Sequence, residues 1–387
     1  MQYKLLHAKE DLRHRKTAQQ GVDIPFLVLV LMLLLVGLVM LYSASFAQSE
    51  YDTGYTSSTR YLQKQGVCAL LGLAAMYLFS RLPALLWNKL AWMVYAVGIL
   101  LLLSVLAFGE SVNGAKRWIN IAGLQFQPSE IAKFSMIVLL ARLTKCYGED
   151  AAVFRNGVLG FGCTMLGLLV PLALEKHLSA IMLMGMVGVV MMFIAGTSPK
   201  WLAAGAAAAA VFVLIYISFM GYAGDRVTAW LHPEQDPGDT GYQILQSLYA
   251  IGSGGLFGLG FGKSRQKYLY LPFQYNDYIF AIICEELGLV GALLIIVLFS
   301  AMIARGYWIA LRARDRFSTA LAAGLVTLIA LQTILNLGVV TNLLPSTGIA
   351  LPFFSYGGTA LAVNLGEMGI LLSISRHRNE PKLQEEL

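Results

Sequence analysis

Charged side chains are scarce: Asp, Glu, Lys and Arg make up 13% of the 387 residues, where a soluble domain carries roughly 25%. That shortage excludes an ordinary water-soluble enzyme. Only four cysteines occur, Cys68, Cys146, Cys163 and Cys284, without CxxC or Cys/His spacing, so they read as packing residues rather than disulfide partners or metal ligands. The histidines are scattered, and HExxH, GxSxG and DxD patterns are absent. Protease, serine-hydrolase and DxD-dependent transferase readings therefore have no support. Residues 252–264 nearly imitate a phosphate-binding loop, but Phe257 stands five before Gly262 where a glycine is required, and no strand precedes it.

Apolar sequence is what the chain has in quantity, with 57% of residues in the set AVILMFWYC and a mean hydropathy of +0.66. It comes in windows at about 26–46, 62–79, 90–108, 128–146, 157–174, 178–195, 201–219, 277–304, 318–341 and 359–375, each long enough to cross a hydrocarbon core. The expected fold is all-α: one polytopic membrane domain of ten helices over 24–376, with tails at 1–23 and 377–387. Only Glu175, Lys176 and His177 separate the fifth and sixth windows. Ser45-Phe46-Ala47 resembles a cleavage site, yet the first block is too long for a signal peptide and reads as a retained helix.

Lys and Arg placement orients these helices. With the N-terminus in the cytoplasm, 18 of the 28 basic residues fall inside, among them Arg81, Lys89, Arg142, Arg155, Lys200 and the cluster Arg305, Arg312, Arg314 and Arg316. Nine fall outside, and Lys133 lies within a span. Both termini are then cytoplasmic. Most of the net charge of +6 records topology, so no nucleic-acid partner is expected. The one large water-facing segment is the outer loop 220–276, between the seventh and eighth helices. Within it Ile244, Leu245 and Leu248 share helical spacing, which predicts a short interfacial amphipathic helix.

An ionisable side chain inside a span costs about 2.5–3.5 kcal/mol on insertion scales and so marks a partner or a wet cavity. Gln127-Pro128-Ser129-Glu130 reads as a helix start with Pro128 at its first position, and Glu130 and Lys133, three apart, share a face. Lys133 then lies about 7 or 8 Å below the helix's outer end. The pair is either a structural ion pair or part of a site. Just before it, Lys116, Arg117 and Trp118 form either an interfacial aromatic with snorkelling cations or an anion site, since Arg offers a fork to phosphate oxygens.

Asp277 stands at the outer end of the eighth helix as a cap or as a general base. Glu285 and Glu286 are adjacent, point about 100° apart, and at most one faces a given cavity. In the outer loop Leu351 to Thr359, Ser355, Gly357 and Gly358 either let backbone amides approach a ligand or make a turn. All these groups gather at outer helix ends. A proton path would place them through the full depth.

These residues resemble the SEDS family (shape, elongation, division and sporulation). The matching segments are Asn113 to Asn120, Gln127-Pro128-Ser129-Glu130 with Lys133, Asp225-Arg226-Val227, and Gly241-Tyr242-Gln243 through Gly262. They continue with Tyr270-Leu271-Pro272, Asn276 to Ala281, Glu285-Glu286-Leu287-Gly288 and Leu344-Pro345 through Gly358. The resemblance covers about residues 24–376, and Ser264 to Pro272 looks more like the division and sporulation branch than the elongation branch.

It implies a peptidoglycan glycosyltransferase of the bacterial cytoplasmic membrane, surrounded by membrane lipids, that polymerises lipid II at the outer leaflet beside a class B penicillin-binding protein. Asp277 looks like the family's essential carboxylate, Glu130 and Lys133 like its buried charged pair, and Arg117 like a basic position lining the cavity. Lys116, Ser355 and Gly357 join them as substrate contacts. A divalent cation, Mg2+ or Mn2+, is implied, with ligands unassigned. The implied reaction has Asp277 take a proton from the acceptor sugar, with inversion at the donor and departure of undecaprenyl pyrophosphate. One departure concerns Glu175-Lys176-His177-Leu178-Ser179, where many relatives carry a Gln/Glu-Pro-Asp type turn; there Lys176 is a candidate phosphate contact. A lipid II flippase and a non-enzymatic scaffold for the penicillin-binding protein are the rival readings.

Overall fold

In hydrocarbon every backbone N–H and C=O must be satisfied within the chain, so apolar blocks of this length become helices. A computed structural model describes residues 21–112, 115–121, 124–205, 207, 228–235 and 240–376. Its long helices are α1 (Ile24–Asp52), α2 (Arg60–Arg81), α3 (Leu85–Phe108), α4 (Pro128–Tyr147), α5 (Phe161–Leu174) and α6 (Leu178–Ala195). They continue as α7 (Thr240–Gly254), α8 (Ile279–Leu311), α9 (Arg316–Val340) and α10 (Gly358–Ser375). The sequence Ser45-Phe46-Ala47 lies inside α1, and α7 is the amphipathic helix expected in the outer loop.

Eight described helical segments are long and apolar enough to cross a membrane, α5 only together with the helical segment Phe154–Gly160 that leads into it, against the ten expected. Two windows account for the difference. α4 has 20 residues but carries Glu130, Lys133, Arg142 and Lys145, and the window 201–219 lies mostly outside the described residues. Asn113, Gly114, Asp225 to Val227 and nearly all of the two tails lie outside them as well.

Burial sorts the helices into an inner and an outer group. In α9 and α10, 72% of the apolar window is buried, against 28% for α2, α3 and α8, whose remaining apolar surface faces outward. α4, polar by composition, buries most of its length, from Pro128 to Thr144. Polar residues are tolerated there because neighbouring helices rather than lipid surround them.

The segment between α3 and α4, read from sequence as an outer loop, is a small antiparallel sheet: β1 (Glu110–Val112), β2 (Ala115–Ile121) and β3 (Leu124–Phe126) in the order β1-β2-β3. Ile119 pairs with Phe126 and Asn120 with Gln125. This sheet marks one end of the molecule, the hairpin end. At the opposite end Asp23 caps α1 by accepting from Phe26 N at 3.1 Å. It also takes a two-pronged bond from Arg305, Nε and Nη2 each at 2.9 Å, while its own amide donates to Ser375 Oγ at 3.1 Å. First, eighth and tenth helices are thereby clipped together.

The glycine-rich stretch after α7 folds against a break in α8. Gly288 has φ 67° and ψ −169° inside that helix, a backbone region that favours glycine. The interruption frees carbonyls, and the loop uses them: Leu259 N donates to Glu285 O at 2.9 Å and Gly260 N to Glu286 O at 3.0 Å. A Cβ at Gly258 would stand 2.1 Å from Glu286 O. The resemblance to a phosphate loop is thus a helix-docking device.

Candidate active site at the hairpin end

One stretch of backbone, residues 344–359, gathers the candidate residues. Ser355 Oγ accepts from Leu351 N at 2.8 Å and donates to Asn276 O at 2.6 Å, while Tyr356 N donates to Tyr275 O at 2.9 Å. Asn336 on α9 holds Asp277 O at 2.7 Å and Ile349 O at 2.8 Å. A Cβ at Gly348 would lie 3.3 Å from Asp277 Oδ2, so that side chain lies beside the stretch. Thr359 Oγ1 accepts from Gln127 N at 3.3 Å, directly before Pro128, which ties the start of α4 to the start of α10. Ser179 Oγ donates to Thr347 O and draws in the α5–α6 turn.

Asp277 sits two residues before α8, whose N-cap is Tyr278 with no capping side-chain bond. The capping role weighed from sequence is therefore not the one its position gives it. Beside it Tyr61, Tyr275 and Tyr356 form an aromatic wall with centroids 4.6, 4.9 and 5.9 Å apart. Ser355 and Gly357 belong to the framing of this segment: Ser355 is engaged as above, and Gly357 N donates to the buried Gln65 Oε1 at 3.1 Å. The amide expected to meet a ligand already has a partner.

Glu130 and Lys133 form an ion pair at 2.8 Å with both side chains buried. A third ionisable group, not singled out from the sequence, is Glu367 on α10. It is 2% exposed, neither carboxylate oxygen has a hydrogen-bond partner among the described residues, and it lies within electrostatic reach of Lys133 and Glu130. A glutamate in the middle of an apolar window was the available signal.

Arg117 on β2 donates through Nη2 to Lys176 O at 2.5 Å, pinning the sheet to the α5–α6 turn. Lys176, the candidate phosphate contact, has its side chain exposed and a left-handed φ of 54°. Its neighbours point the other way: Glu175 is 3% and His177 8% exposed. Burial pushes the Glu175 carboxyl up to about 8, against a smaller opposing pull from Arg117. Burial, then Arg117 and Lys133, push His177 down to about 3. Lys116 is exposed on β2.

Glu285 and Glu286 are not part of this group. Both are buried, and both bond the docked loop rather than line a cavity. Glu285 accepts from Arg265 N at 2.9 Å, Gln266 N at 3.3 Å and Ser264 Oγ. Glu286 accepts from Ser43 Oγ at 2.7 Å and from Lys267 Nζ at 3.0 Å. The loop reaches both because it wraps the broken helix. Lys267, counted from sequence among the outer cations, is buried by this pairing.

Among the described residues no group of three His, Cys, Asp or Glu side chains is placed to hold a metal ion. The divalent cation implied by the resemblance has no protein cage there. A cavity of about 560 Å3 opens at the opposite end, lined by Gly148, Arg314 and Asp315 among others; its Asp315 is engaged in capping α9, and none of the candidate residues lines it.

A polytopic helical membrane protein whose hairpin end holds a buried Glu130–Lys133 pair and, among the described residues, the unpartnered Glu175, His177 and Glu367 is the class that fold and site define. The family profile of FtsW/RodA/SpoVE cell cycle proteins matches residues 24–380, and the chain belongs to that family. It is 38% identical over 358 residues to the probable peptidoglycan glycosyltransferase FtsW of Geobacter metallireducens, covering 91% of this chain and 94% of that protein. It is 37% identical over 365 residues to the stage V sporulation protein E of Bacillus subtilis, covering 93% and 99%. A solved chain from a peptidoglycan synthase complex that coordinates polymerization and crosslinking superposes with a TM-score of 0.78 at 27% identity, covering 93% and 99%.

Proposed function

We propose that the chain is a peptidoglycan glycosyltransferase that polymerises lipid II at the outer leaflet of the bacterial cytoplasmic membrane, with both termini in the cytoplasm. The observation that carries this reading is that residues 344–359 tie together, at the hairpin end, the segment of Asp277, the start of α4 that bears the Glu130–Lys133 pair, and the α5–α6 turn that Arg117 holds. The relatives of division and sporulation named above support it, and so does the resemblance of the Asp277 and Glu130 segments to the SEDS pattern.

Asp277, as general base, takes the proton of the acceptor GlcNAc 4-hydroxyl. The oxygen attacks the anomeric carbon of the donor MurNAc with inversion, and the bond to the diphosphate breaks with its electron pair leaving on undecaprenyl pyrophosphate. Lys133 and Arg117 stabilise the charge that develops there, and they do so strongly because a water-poor site screens them little. The Mg2+ or Mn2+ expected from the resemblance we assign to the substrate rather than to a protein cage, and no step runs through it. A class B penicillin-binding protein completes the assembly, as the synthase complex above suggests.

Asp277→Asn keeps shape and removes basicity. With its cognate penicillin-binding protein, the variant should polymerise purified lipid II about 100-fold or more slowly than the parent, read as glycan strands on a gel. A rate near the parent's would dismiss Asp277 as base. Lipid II translocation in vesicles without glycan synthesis would favour a flippase instead.

A further inference from the structure

Buried polar atoms in folded proteins nearly always have partners, yet two groups on the α5–α6 turn do not. Glu175 Oε1 and His177 Nδ1 are buried with no hydrogen-bond partner among the described residues. Both residues are more than nine-tenths buried. The turn is no loose surface loop either: Arg117 holds its Lys176 carbonyl at 2.5 Å, and Ser179 is bonded to Thr347. Unpaired groups in a turn pinned on both sides leave hydrogen-bonding capacity that the described residues do not use.

We propose that this turn completes the site for the lipid-linked diphosphate, with the Glu175 carboxylic acid and the His177 imidazole giving uncharged hydrogen bonds beside the Arg117 and Lys133 cations. The inference rests on the glycosyltransferase reading and extends it to residues that depart from the family's usual turn. A diphosphate presents more oxygens than two cations can satisfy. Further buried cations would repel Arg117 and Lys133, and ionised carboxylates would repel the ligand, whereas neutral donors meet neither objection.

The titration of the two groups agrees with that assignment. With its carboxyl pushed up to about 8, Glu175 keeps a proton at neutral pH and can donate it in a hydrogen bond. With His177 pushed down to about 3, the imidazole is neutral there and carries one N–H. Among the described residues the charged groups facing the turn are Arg117 from β2, which pulls on both residues, and Lys133 from α4, which pulls on His177, with Asp277 beside Gly348 on the segment that Ser179 holds. Glu130 pairs with Lys133, and Glu367 on α10 lies within reach of both. Residues 341–351, which pack on Ser179, contain no ionisable side chain.

The test uses the full-length protein with its cognate penicillin-binding protein and purified lipid II, from about pH 6 to about 9.5. The parent rate should fall as pH rises through about 8, because Glu175 loses its donor. Glu175→Gln keeps a donor that does not titrate and should lose that alkaline fall. Glu175→Ala and His177→Ala should raise KM for lipid II about tenfold with smaller changes in kcat, their melting temperatures serving as the folding control. An unchanged alkaline fall in Glu175→Gln, or parental KM in both alanine variants, overturns the proposal.

If the parent complex makes no polymer, the glycosyltransferase reading fails, and binding then decides the site separately. Undecaprenyl pyrophosphate occupancy at pH 7, read by native mass spectrometry, should be lower in Glu175→Ala than in the parent. Equal occupancy overturns the site.

Discussion

Two buried ionic clusters in this molecule differ in one respect. Around the break in α8, Lys267, Glu285, Glu286, Ser43 and Ser264 bond one another and the loop backbone, so each carboxylate oxygen accepts at least one hydrogen bond. At the hairpin end Glu175, His177 and Glu367 retain buried atoms with no partner among the described residues. The first cluster is closed upon itself and can only hold helices and loop together. The second keeps bonding capacity in reserve, which costs stability and has value only when something else comes to use it.

The largest expected effect lies in the closed cluster. Lys267→Met strands Glu286 beneath the loop and should cost about 3–5 kcal/mol, seen as a large fall in melting temperature in detergent. Pairing it with Glu286→Leu should recover most of that loss, because a buried ion pair replaced by apolar side chains is often neutral; no recovery would mean that the cluster contributes more than charge balance. In the open cluster the sign should reverse. Glu367→Met removes a carboxylate whose oxygens are unpaired and should raise stability by about 1–3 kcal/mol, while polymerisation falls. A loss of stability would show that Glu367 is a closed structural group after all.

The smallest effect is the pH dependence of the turn. Glu175, raised from 4.5 to about 8, binds a proton in the folded state that the unfolded chain gives up, so its contribution is lost as pH rises from about 4.5 to about 8. His177, lowered from 6.5 to about 3, resists the proton that the unfolded chain accepts, so its contribution is lost as pH falls from about 6.5 to about 3. The slopes oppose each other between about pH 4.5 and 6.5 and cancel there. Melting curves of the parent minus those of the Glu175→Gln, His177→Asn double variant should be flat in that window and fall on both sides. A difference curve that rises above pH 6.5 would contradict the burial argument.

The helices were readable because twenty-residue apolar blocks have one structural solution in a membrane, and α6 begins and ends where its window does. The sheet was missed because β1 and β3 have three residues each and β2 carries Lys116 and Arg117, so the segment reads as a charged connection rather than as strand alternation. Lys267 and Glu286 stand 19 residues apart in sequence, and no local pattern announces that a loop will return to a helix at a glycine break. Glu130, Lys133 and Asp277 stood out through the scarcity of charge around them. Glu367 met the same criterion, but it stands in the middle of the last apolar window, away from the outer helix ends where the other candidates lie. The inward aim of Glu175 and His177, with Lys176 turned outward, depends on the left-handed backbone at Lys176, which only coordinates reveal.

The clip at the far end bears on how the chain is made. Asp23 caps the first helix, but its other partners are Arg305 and Ser375, the latter 352 positions further on. While the ribosome is still delivering the intervening helices, that carboxylate has only its own helix's Phe26 amide; Arg305 arrives with α8, and the Ser375 hydroxyl that takes the Asp23 amide arrives only with α10. Closure of the bundle is therefore a post-insertion event, and chains shortened before residue 375 should be handed to membrane quality control with the clip incomplete.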